Sequence, residues 1–371
     1  MDARAAVQTG PRRIELQALA LPERLGDDEA VLAVEANGMC GTDWEQYKGS
    51  LASSAAFPVI PGHETVGRIE RIGPVAAARW RLAEGDRVAV ESTVPCGSCP
   101  NCRAGRWLFC SHRLIYGLTT VANAPALSGG YAEYLILRPN SMVYPMPEHL
   151  SSEDAVFFNP LGAGFDWAVR IAGTKVGDTI VIMGPGQRGL ACVVAAREAG
   201  AGRIIVAGRS LRPWKLDMAL QLGATHVVRT DQQSLPEAVA EITDGALADC
   251  AVDTTPAAVQ PVVDALDAVR AEGTVVLSAA KSPDAIPGLS AKVMAKALTV
   301  KGAYSVSEWA KRQAIRVLSE GRHDLSPLHT HPFRIDDLHR AMRILGGEVP
   351  GEEALHITVT PREPVAASTG P

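Results

Sequence analysis

A glycine-rich turn at residues 184–189 constrains the fold of this chain more than any other segment. It follows a short apolar run at residues 178–183 and leads directly into a helical pattern at residues 190–199. Such a run is typical of a strand buried in a parallel sheet, and the change from strand to helix marks the start of a βαβ unit. Further strand-like runs, separated by segments of helix length, lie at residues 203–207, 225–228, 250–253, 274–278 and 298–302. The pattern predicts a doubly wound α/β domain of the Rossmann type over residues 159–304.

The turn has the spacing G-x-G-x-x-G, formed by Gly184, Gly186 and Gly189. The first glycine permits a tight turn, the second lets the backbone approach a pyrophosphate, and the third lets helix and strand pack closely. The helix N-terminus then faces the anion. In this strand–turn–helix context the motif predicts dinucleotide binding, with Gln187 and Arg188 as further candidate contacts. A glycine turn of purely structural origin is the alternative.

The end of the second strand bears on the choice between NAD and NADP. An acid about 20 residues after the turn would bind the ribose 2′-hydroxyl of NAD. The sequence instead has Gly208, Arg209 and Ser210 there, followed by Arg212 and Lys215. The three cations favour NADP, because they would accept a 2′-phosphate. The alternative is that they are solvated surface residues and that NAD binds through backbone contacts.

The first part of the chain has a different pattern. Residues 5–150 contain many short β-type runs separated by Gly and Pro, and the clearest are residues 31–36, 65–72, 86–90 and 131–137. They predict a compact, mostly antiparallel domain over residues 1–158. We expect residues 305–371 to return to this domain and to end in a C-terminal tail.

Four of the seven cysteines lie within residues 94–112, namely Cys96, Cys99, Cys102 and Cys110. Thiolates at this spacing converge on one tetrahedral zinc ion. A closed shell of four sulfurs has no open position for a substrate or a water molecule, so the segment is predicted to hold a structural zinc. Unrelated cysteines or two disulfides are the alternative.

Composition excludes several function classes. The chain has 371 residues, enough for about two domains. With 36 basic and 41 acidic side chains the net charge is -5, and no long basic run occurs, which disfavours nucleic acid and anionic membranes as partners. The N-terminus lacks an apolar signal core, and no run of about 18 apolar residues is present. Clustered cysteines suit a reducing compartment, so we expect a cytoplasmic protein.

A second metal site is indicated by Cys40 and His63, which follow or precede predicted strands. Either residue alone is usually part of a core. In a domain joined to a dinucleotide fold, a thiolate and an imidazole can hold a zinc ion that keeps an open position and polarises an alcohol or carbonyl oxygen.

Taken together, the motifs resemble those of the zinc-dependent medium-chain dehydrogenase/reductase superfamily, the group of alcohol, sorbitol and threonine dehydrogenases. The resemblance covers essentially the whole chain. It rests on Cys40-Gly-Thr-Asp, Pro61-Gly-His-Glu with Gly67, Gly85-Asp-Arg-Val, the four cysteines, Gly129-Gly-Tyr-Ala-Glu-Tyr and the glycine turn. It implies a GroES-like catalytic domain, a Rossmann domain with a cleft between them, a small-molecule alcohol or carbonyl substrate, NAD(P), and a homodimer or homotetramer.

The resemblance also implies roles for individual residues. Cys40 and His63 match two ligands of the catalytic zinc, and Glu64 matches an acid that enters the metal shell in some members. Thr42 matches the hydroxyl that accepts the proton of the alcohol. Asp43 matches an acid that orients the histidine ligand.

Two positions depart from the family pattern. The third zinc ligand, usually Cys, Glu or Asp, falls on Asn159, and an amide oxygen is a weaker donor. Relatives often have a proton-relay histidine where this chain has Glu45; a glutamate either relays protons at a different pH or has a plain surface role. Asn159 therefore keeps open a zinc-independent reductase of the quinone or enoyl type. A non-catalytic nucleotide-binding protein is the alternative from another class.

Overall fold

The computed structural model describes residues 2–51, 57–122, 127–282 and 285–362. The chain divides into two compact units, one formed by Met1–Phe157 and Leu325–Pro371, the other by Phe158–Asp324. Of the predicted C-terminal tail, residues 361–371, the part from residue 363 onward lies outside the described residues. The first unit is thus built from both ends of the chain.

In the first unit the strands are β1 (Asp2–Gly10), β2 (Arg13–Ala20), β3 (Ala30–Met39), β4 (Glu64–Ile72), β5 (Arg87–Val90), β6 (Thr93–Val94), β7 (Leu114–Ile115), β8 (Tyr134–Leu137) and β9 (Val143–Pro145). The helices of this segment are α1 (Gly41–Lys48), α2 (Pro74–Trp80), α3 (Pro100–Arg103) and α4 (Ser152–Val156), with a 3-10 turn at Trp107–Phe109.

The second unit begins with α5 (Phe158–Gly164) and a π-helical segment, Phe165–Ile171. Its strands are β10 (Thr179–Met183), β11 (Arg203–Gly208), β12 (His226–Arg229), β13 (Ala248–Asp253), β14 (Val269–Leu277) and β15 (Thr299–Gly302). Its other helices are α6 (Gln187–Glu198), α7 (Pro213–Leu222), α8 (Leu235–Ile242), α9 (Gln260–Ala268), α10 (Leu289–Ala295) and α11 (Glu308–Glu320).

The end of the chain completes the first unit. It contributes β16 (His329–Arg334), α12 (Leu338–Leu345) and β17 (His356–Thr360), with short 3-10 turns at Ser326–Leu328 and Ile335–Asp337.

A seven-stranded sheet organises the first unit in the described residues. Its order is β16-β17-β3-β4-β5-β9, and β8 also pairs with β3. The long antiparallel pair β3–β4 lies at its centre and aligns Gly38 with Glu64. The predicted antiparallel character is therefore observed. Its buried face includes Leu32, Val34 and Ile69, which explains the alternating apolar pattern of these strands.

The second unit contains a six-stranded parallel sheet in the order β12-β11-β10-β13-β14-β15. Counted along the chain, this is the order 3-2-1-4-5-6 of dinucleotide-binding folds. Fully buried residues such as Val181, Ile205 and Ala251 form its core, which is why the strands read as continuous apolar runs. The predicted Rossmann architecture is confirmed.

The boundary after the second unit differs from the sequence expectation. The return to the first unit begins at Leu325, about twenty residues after the predicted position 305. The reason is α11, which packs on α5 within the second unit. Ser307 caps this helix, and its hydroxyl donates to Oδ1 of the buried Asp166 at 2.6 Å. This buried hydrogen bond ties the segment to the π-helical region, a contact with no local sequence signal.

Among the described residues, we find no helix with the length and apolarity needed to cross a membrane.

The close approach of the β3 and β4 backbones leads to a prediction about packing. A Cβ atom at Gly67 would lie 2.2 Å from the carbonyl oxygen of Ala33, whereas a Cβ atom at Gly10 would meet nothing within 4 Å. We expect Gly67→Ala to reduce the free energy of unfolding by about 1–3 kcal/mol or more through overpacking. Gly10→Ala is the matched control, and thermal unfolding compares the two. Equal melting temperatures in both variants would contradict the tight approach of these strands.

Candidate metal centres and dinucleotide site

The four predicted structural-zinc ligands form one cluster. The sulfur atoms of Cys96, Cys99, Cys102 and Cys110 all lie within 4.8 Å of one another, and none of these residues is in a disulfide. The Sγ atoms of Cys99 and Cys102 are 3.5 Å apart. Cys99 caps the short helix α3, which turns the chain so that the following thiol returns to the cluster. Four converging thiols are the donor set that a tetrahedral zinc ion prefers, so the residues fit this metal.

Backbone N–H groups around the cluster favour the thiolate form. The N–H groups of Ser98 and Cys99 lower the pKa of Cys96 to about 5. Desolvation and the neighbouring thiols of Cys99 and Cys110 raise the pKa of Cys102 to about 12. The shifts differ in direction because backbone N–H groups stabilise the Cys96 thiolate, whereas Cys102 is desolvated; a divalent cation would favour the thiolate form of both.

The second predicted cluster also forms. One ligand atom each from Cys40, His63 and Glu64 lies within 4.8 Å of the others. The Sγ atom of Cys40 is 3.2 Å from Nε2 of His63. Strand pairing brings them together, because Cys40 follows the end of β3 directly and Glu64 begins β4. Glu64 is fully buried and Cys40 is nearly so.

Asp43 lies beside both Cys40 and His63, where the family resemblance implies an acid that orients the histidine. One of its oxygens, Oδ2, accepts the N–H of Cys40 at 2.9 Å, and Oδ1 lies 3.4 Å from Nδ1 of His63. With Nδ1 on the side of Asp43, the opposite nitrogen of the ring points at Cys40. Although burial lowers it, the charges of Asp43 and Cys40 raise the pKa of His63 well above its usual value. The pocket thus attracts positive charge, which fits a zinc ion held by thiolate, imidazole and carboxylate.

Thr42 and Glu45 lie on α1, which starts immediately after Cys40. Thr42 is partly exposed, two residues from the thiol. Glu45 pairs with Lys48 across one helical turn, with Oε1 and Nζ 2.9 Å apart, and 45% of its side chain is exposed. The ion pair with Lys48 is sufficient to explain Glu45 as a surface residue. The role of Glu45 as a proton relay stays a prediction.

A chain of polar side chains, buried or nearly so except at its far end, leads away from Glu64, and sequence reasoning missed it. A Cβ atom at Gly38 would lie 2.7 Å from Oε2 of Glu64 and 3.2 Å from Nε2 of His356, so these two side chains converge. His356 and His329 face each other through their Nδ1 atoms at 2.9 Å, and Nε2 of His329 lies 2.9 Å from Oδ1 of Asp154. Because a carboxylate only accepts, His329 donates from Nε2, and a neutral His329 then accepts the N–H of His356.

The four residues are far apart in sequence, and the only local signal is a histidine at the start of β16 and another at the start of β17. The parallel pairing of these strands aligns His329 with His356. The hydrogen bond from His329 lowers the pKa of Asp154. The carboxylate end of the chain is therefore charged at neutral pH.

The glycine turn joins β10 to α6 as predicted. Gly184 has a φ of 95°, in the left-handed region that favours glycine. A Cβ atom at Gly189 would lie 1.9 Å from the carbonyl oxygen of Gly184, so helix and strand pack without room for a side chain. A Cβ atom at Gly186 would meet nothing within 4 Å, which leaves open space beside the helix N-terminus. This arrangement suits a pyrophosphate.

Other predicted cofactor residues have partners within the second unit. Gln187 is the first residue of α6. Arg188 donates from Nη1 to the carbonyl oxygen of Asn159 at 3.0 Å, and its guanidinium lies 5.8 Å from the centre of the Trp167 ring. Asn159, the predicted third zinc ligand, lies on α5. These contacts tie α6 to α5.

The predicted adenosine end of the site lies at the end of β11. Gly208 ends this strand, and Arg209 and Ser210 follow it, with Arg209 exposed. Arg212 precedes α7, and Lys215, in its first turn, lies 5.1 Å from the ring of the adjacent Trp214. Ser210 contacts an acid that sequence reasoning missed, Asp231. Asp231 follows β12, two residues beyond its last residue.

Known proteins resemble this chain over most of its length. The family model described as the alcohol dehydrogenase GroES-like domain matches residues 26–148, and the model described as zinc-binding dehydrogenase matches residues 189–320. A probable alcohol dehydrogenase of Mycobacterium tuberculosis is 42% identical over 96% of this chain and 98% of its own length. A sorbitol dehydrogenase of Bacillus subtilis is 32% identical over 91% of this chain and 92% of its own length.

Solved structures share the fold. An alcohol dehydrogenase from Thermotoga maritima has a TM-score of 0.87 and 22% identity, with 98% of this chain and all of that chain covered. The 2R,3R-butanediol dehydrogenase of Bacillus subtilis has a TM-score of 0.81 and 24% identity, with 97% and 100% covered.

The contacts of Asp43 predict an effect on metal retention. We expect Asp43→Ala to weaken zinc binding at Cys40 and His63 by about 10–100-fold, because the imidazole loses the carboxylate that orients it. Zinc content after dialysis against a graded series of chelator concentrations measures this. Glu45→Gln removes an acid from the exposed side of the same helix and serves as the control. Equal retention in both variants would rule out the orienting role.

Proposed function

The chain belongs to the zinc-dependent medium-chain dehydrogenase/reductase superfamily, and on that premise we propose that it interconverts an alcohol and its aldehyde or ketone by hydride transfer to or from NAD(P). The observation that carries this proposal is the buried cluster of Cys40, His63 and Glu64 with Asp43 behind the imidazole. A protein with a purely structural role would gain little stability from ionisable side chains packed against one another in a buried pocket.

Each group of the pocket has a distinct task. When bound, zinc supplies a Lewis acid that polarises the substrate oxygen, and the nicotinamide supplies or accepts the hydride. Cys40 and His63 would hold the metal, and Asp43 keeps the imidazole in the correct orientation. The hydroxyl of Thr42, two residues after Cys40, would take the proton that leaves the alcohol.

The third protein ligand has two candidates. Glu64 is supported by its carboxylate, which is a stronger donor to zinc than an amide, and by its position in the same cluster as Cys40 and His63. Asn159 stays a candidate from the family resemblance alone. We propose that Glu64 completes the set of ligands, and Glu64→Gln tests this through the zinc content of the variant.

The cofactor proposal rests on the turn formed by Gly184, Gly186 and Gly189. The cations Arg209, Arg212 and Lys215 would accept a 2′-phosphate, and on their account the sequence favours NADP over NAD. A homodimer or homotetramer in the cytoplasm stays our expectation from the family resemblance and the clustered cysteines.

Removal of the imidazole tests the reaction. We expect His63→Ala to lower turnover of alcohols and carbonyl compounds by more than about 100-fold, beyond the loss typical of residues that only support a ligand. His226→Ala replaces an exposed histidine of the second unit and serves as the control. Turnover over a panel of alcohols, aldehydes and ketones is measured with both nucleotides. Full activity of folded His63→Ala would refute the zinc mechanism.

Metal counting separates the two clusters. We expect two zinc ions per chain in the wild type and one in each of Cys99→Ser and His63→Ala. Cys99→Ser should lower the melting temperature, because the segment of residues 94–112 loses its cross-link, whereas His63→Ala should lower turnover. Elemental analysis and thermal unfolding provide the two readouts. A single zinc per wild-type chain, unchanged in His63→Ala, would favour the zinc-independent reductase.

A further inference from the structure

We propose that Asp231 is a determinant of cofactor choice, because it brings a carboxylate to the end of β11 and so favours the ribose 2′-hydroxyl of NAD over the 2′-phosphate of NADP. This inference rests on the proposed function, since it requires a dinucleotide in the second unit. Asp231 follows the neighbouring strand β12 and provides the acid that the sequence lacks at the end of the second strand, β11.

Parallel pairing places Asp231 beside this strand end. β11 and β12 align Gly208 with Arg229, the last residue of β12. One residue later, the N–H of Thr230 donates to the carbonyl oxygen of Gly208 at 2.9 Å. Asp231 is the next residue, so the backbone hydrogen bonds between β11 and β12 position it beside the end of β11.

The carboxylate then engages Ser210 through two hydrogen bonds. The N–H of Ser210 donates to Oδ1 of Asp231 at 2.8 Å, and the hydroxyl of Ser210 donates to the same oxygen at 3.0 Å. Both bonds end on Oδ1, which leaves Oδ2 outside them. A 2′-phosphate placed at this turn would have to compete with the carboxylate for these two donors.

The acid is charged under ordinary conditions. The N–H of Ser210, followed by its hydroxyl and more weakly by the charge of Arg209, lowers the pKa of Asp231. Asp231 is exposed, so its field is screened by salt but is not neutralised by protonation at neutral pH.

The same strand end adjoins the glycine turn. A Cβ atom at Gly208 would lie 2.8 Å from Cδ of Pro185, between the first two glycines of the motif. In a βαβ unit the pyrophosphate binds at this turn and the adenosine ribose at the end of the second strand. A 2′-hydroxyl can donate to the carboxylate, whereas a 2′-phosphate adds nearly two negative charges beside it. Asp231 therefore opposes the attraction that Arg209 offers to the phosphate.

Direct binding tests this proposal without turnover. NADH and NADPH are titrated by fluorescence at low salt into the wild type and into Asp231→Asn, which keeps an oxygen acceptor for Ser210 but loses the charge. We expect the ratio of the two dissociation constants to shift about tenfold toward NADPH, as for one exposed charge near a phosphate. Asp231→Glu should stay close to the wild-type ratio. Asp231→Ser provides the same test if Asp231→Asn does not fold.

The control, Asp244→Asn, removes a charge at the opposite end of the parallel strands. Asp244 is exposed and precedes β13, whereas Asp231 follows the carboxyl end of β12. A shift in Asp231→Asn no larger than in Asp244→Asn, or a shift toward NADH, would overturn the inference and leave the proposed function intact. Failure of the wild type to bind either nucleotide would refute the proposed function and the inference together.

Discussion

The antiparallel pair β3–β4 is the contact on which the candidate metal site depends. Its register sets Gly38 opposite Glu64, and the thiol that follows β3 thereby meets the imidazole that precedes β4. Close approach of the two backbones requires a residue without a side chain at Gly67. Once Cys40 and His63 are buried together, the carboxylate of Asp43 compensates the positive charge of the imidazole or of a metal. The chemistry of the pocket thus follows from strand pairing.

In the second unit, parallel strands bring the residues of the candidate dinucleotide site together, whereas an antiparallel pair does so for the metal site. Parallel strands bring their carboxyl ends to one edge, so the glycine turn after β10, the turn after β11 and the residues after β12 become neighbours. Helix α6 directly follows β10 through the glycine turn, so its N-terminus lies at this edge, and Gly186 leaves open space beside it. Ser210 and Asp231, which are 21 residues apart, meet there. The glycine turn, which suits a pyrophosphate, and Asp231, whose charge opposes a 2′-phosphate, therefore lie at one edge of the sheet.

Sequence reasoning performs best where the chemistry lies in a short segment. Spacing alone predicts that Cys96 and Cys110 belong to one cluster, and the sulfur atoms do converge. The repeated strand–helix pattern also predicts the parallel α/β domain, although the order of its six strands comes from the structure. The domain boundary at Leu325 and the contact of His329 with His356 could not be predicted, because each depends on packing between segments that no local pattern connects.

By itself the sequence determined the two-domain plan, the glycine turn and the identity of the thiol and imidazole donors, because these depend on residue type and on the pattern around each motif; the carboxylate donor came from the family resemblance. The family resemblance implied roles for Asp43 and Glu64, but only the tertiary structure decided that Asp43 lies beside His63, that Glu64 shares their pocket and that Asp231 reaches Ser210. These contacts are set by strand register, by burial and by the edge at which a parallel strand ends. Such constraints act between residues that are distant in the chain, and distance in sequence carries no information about them.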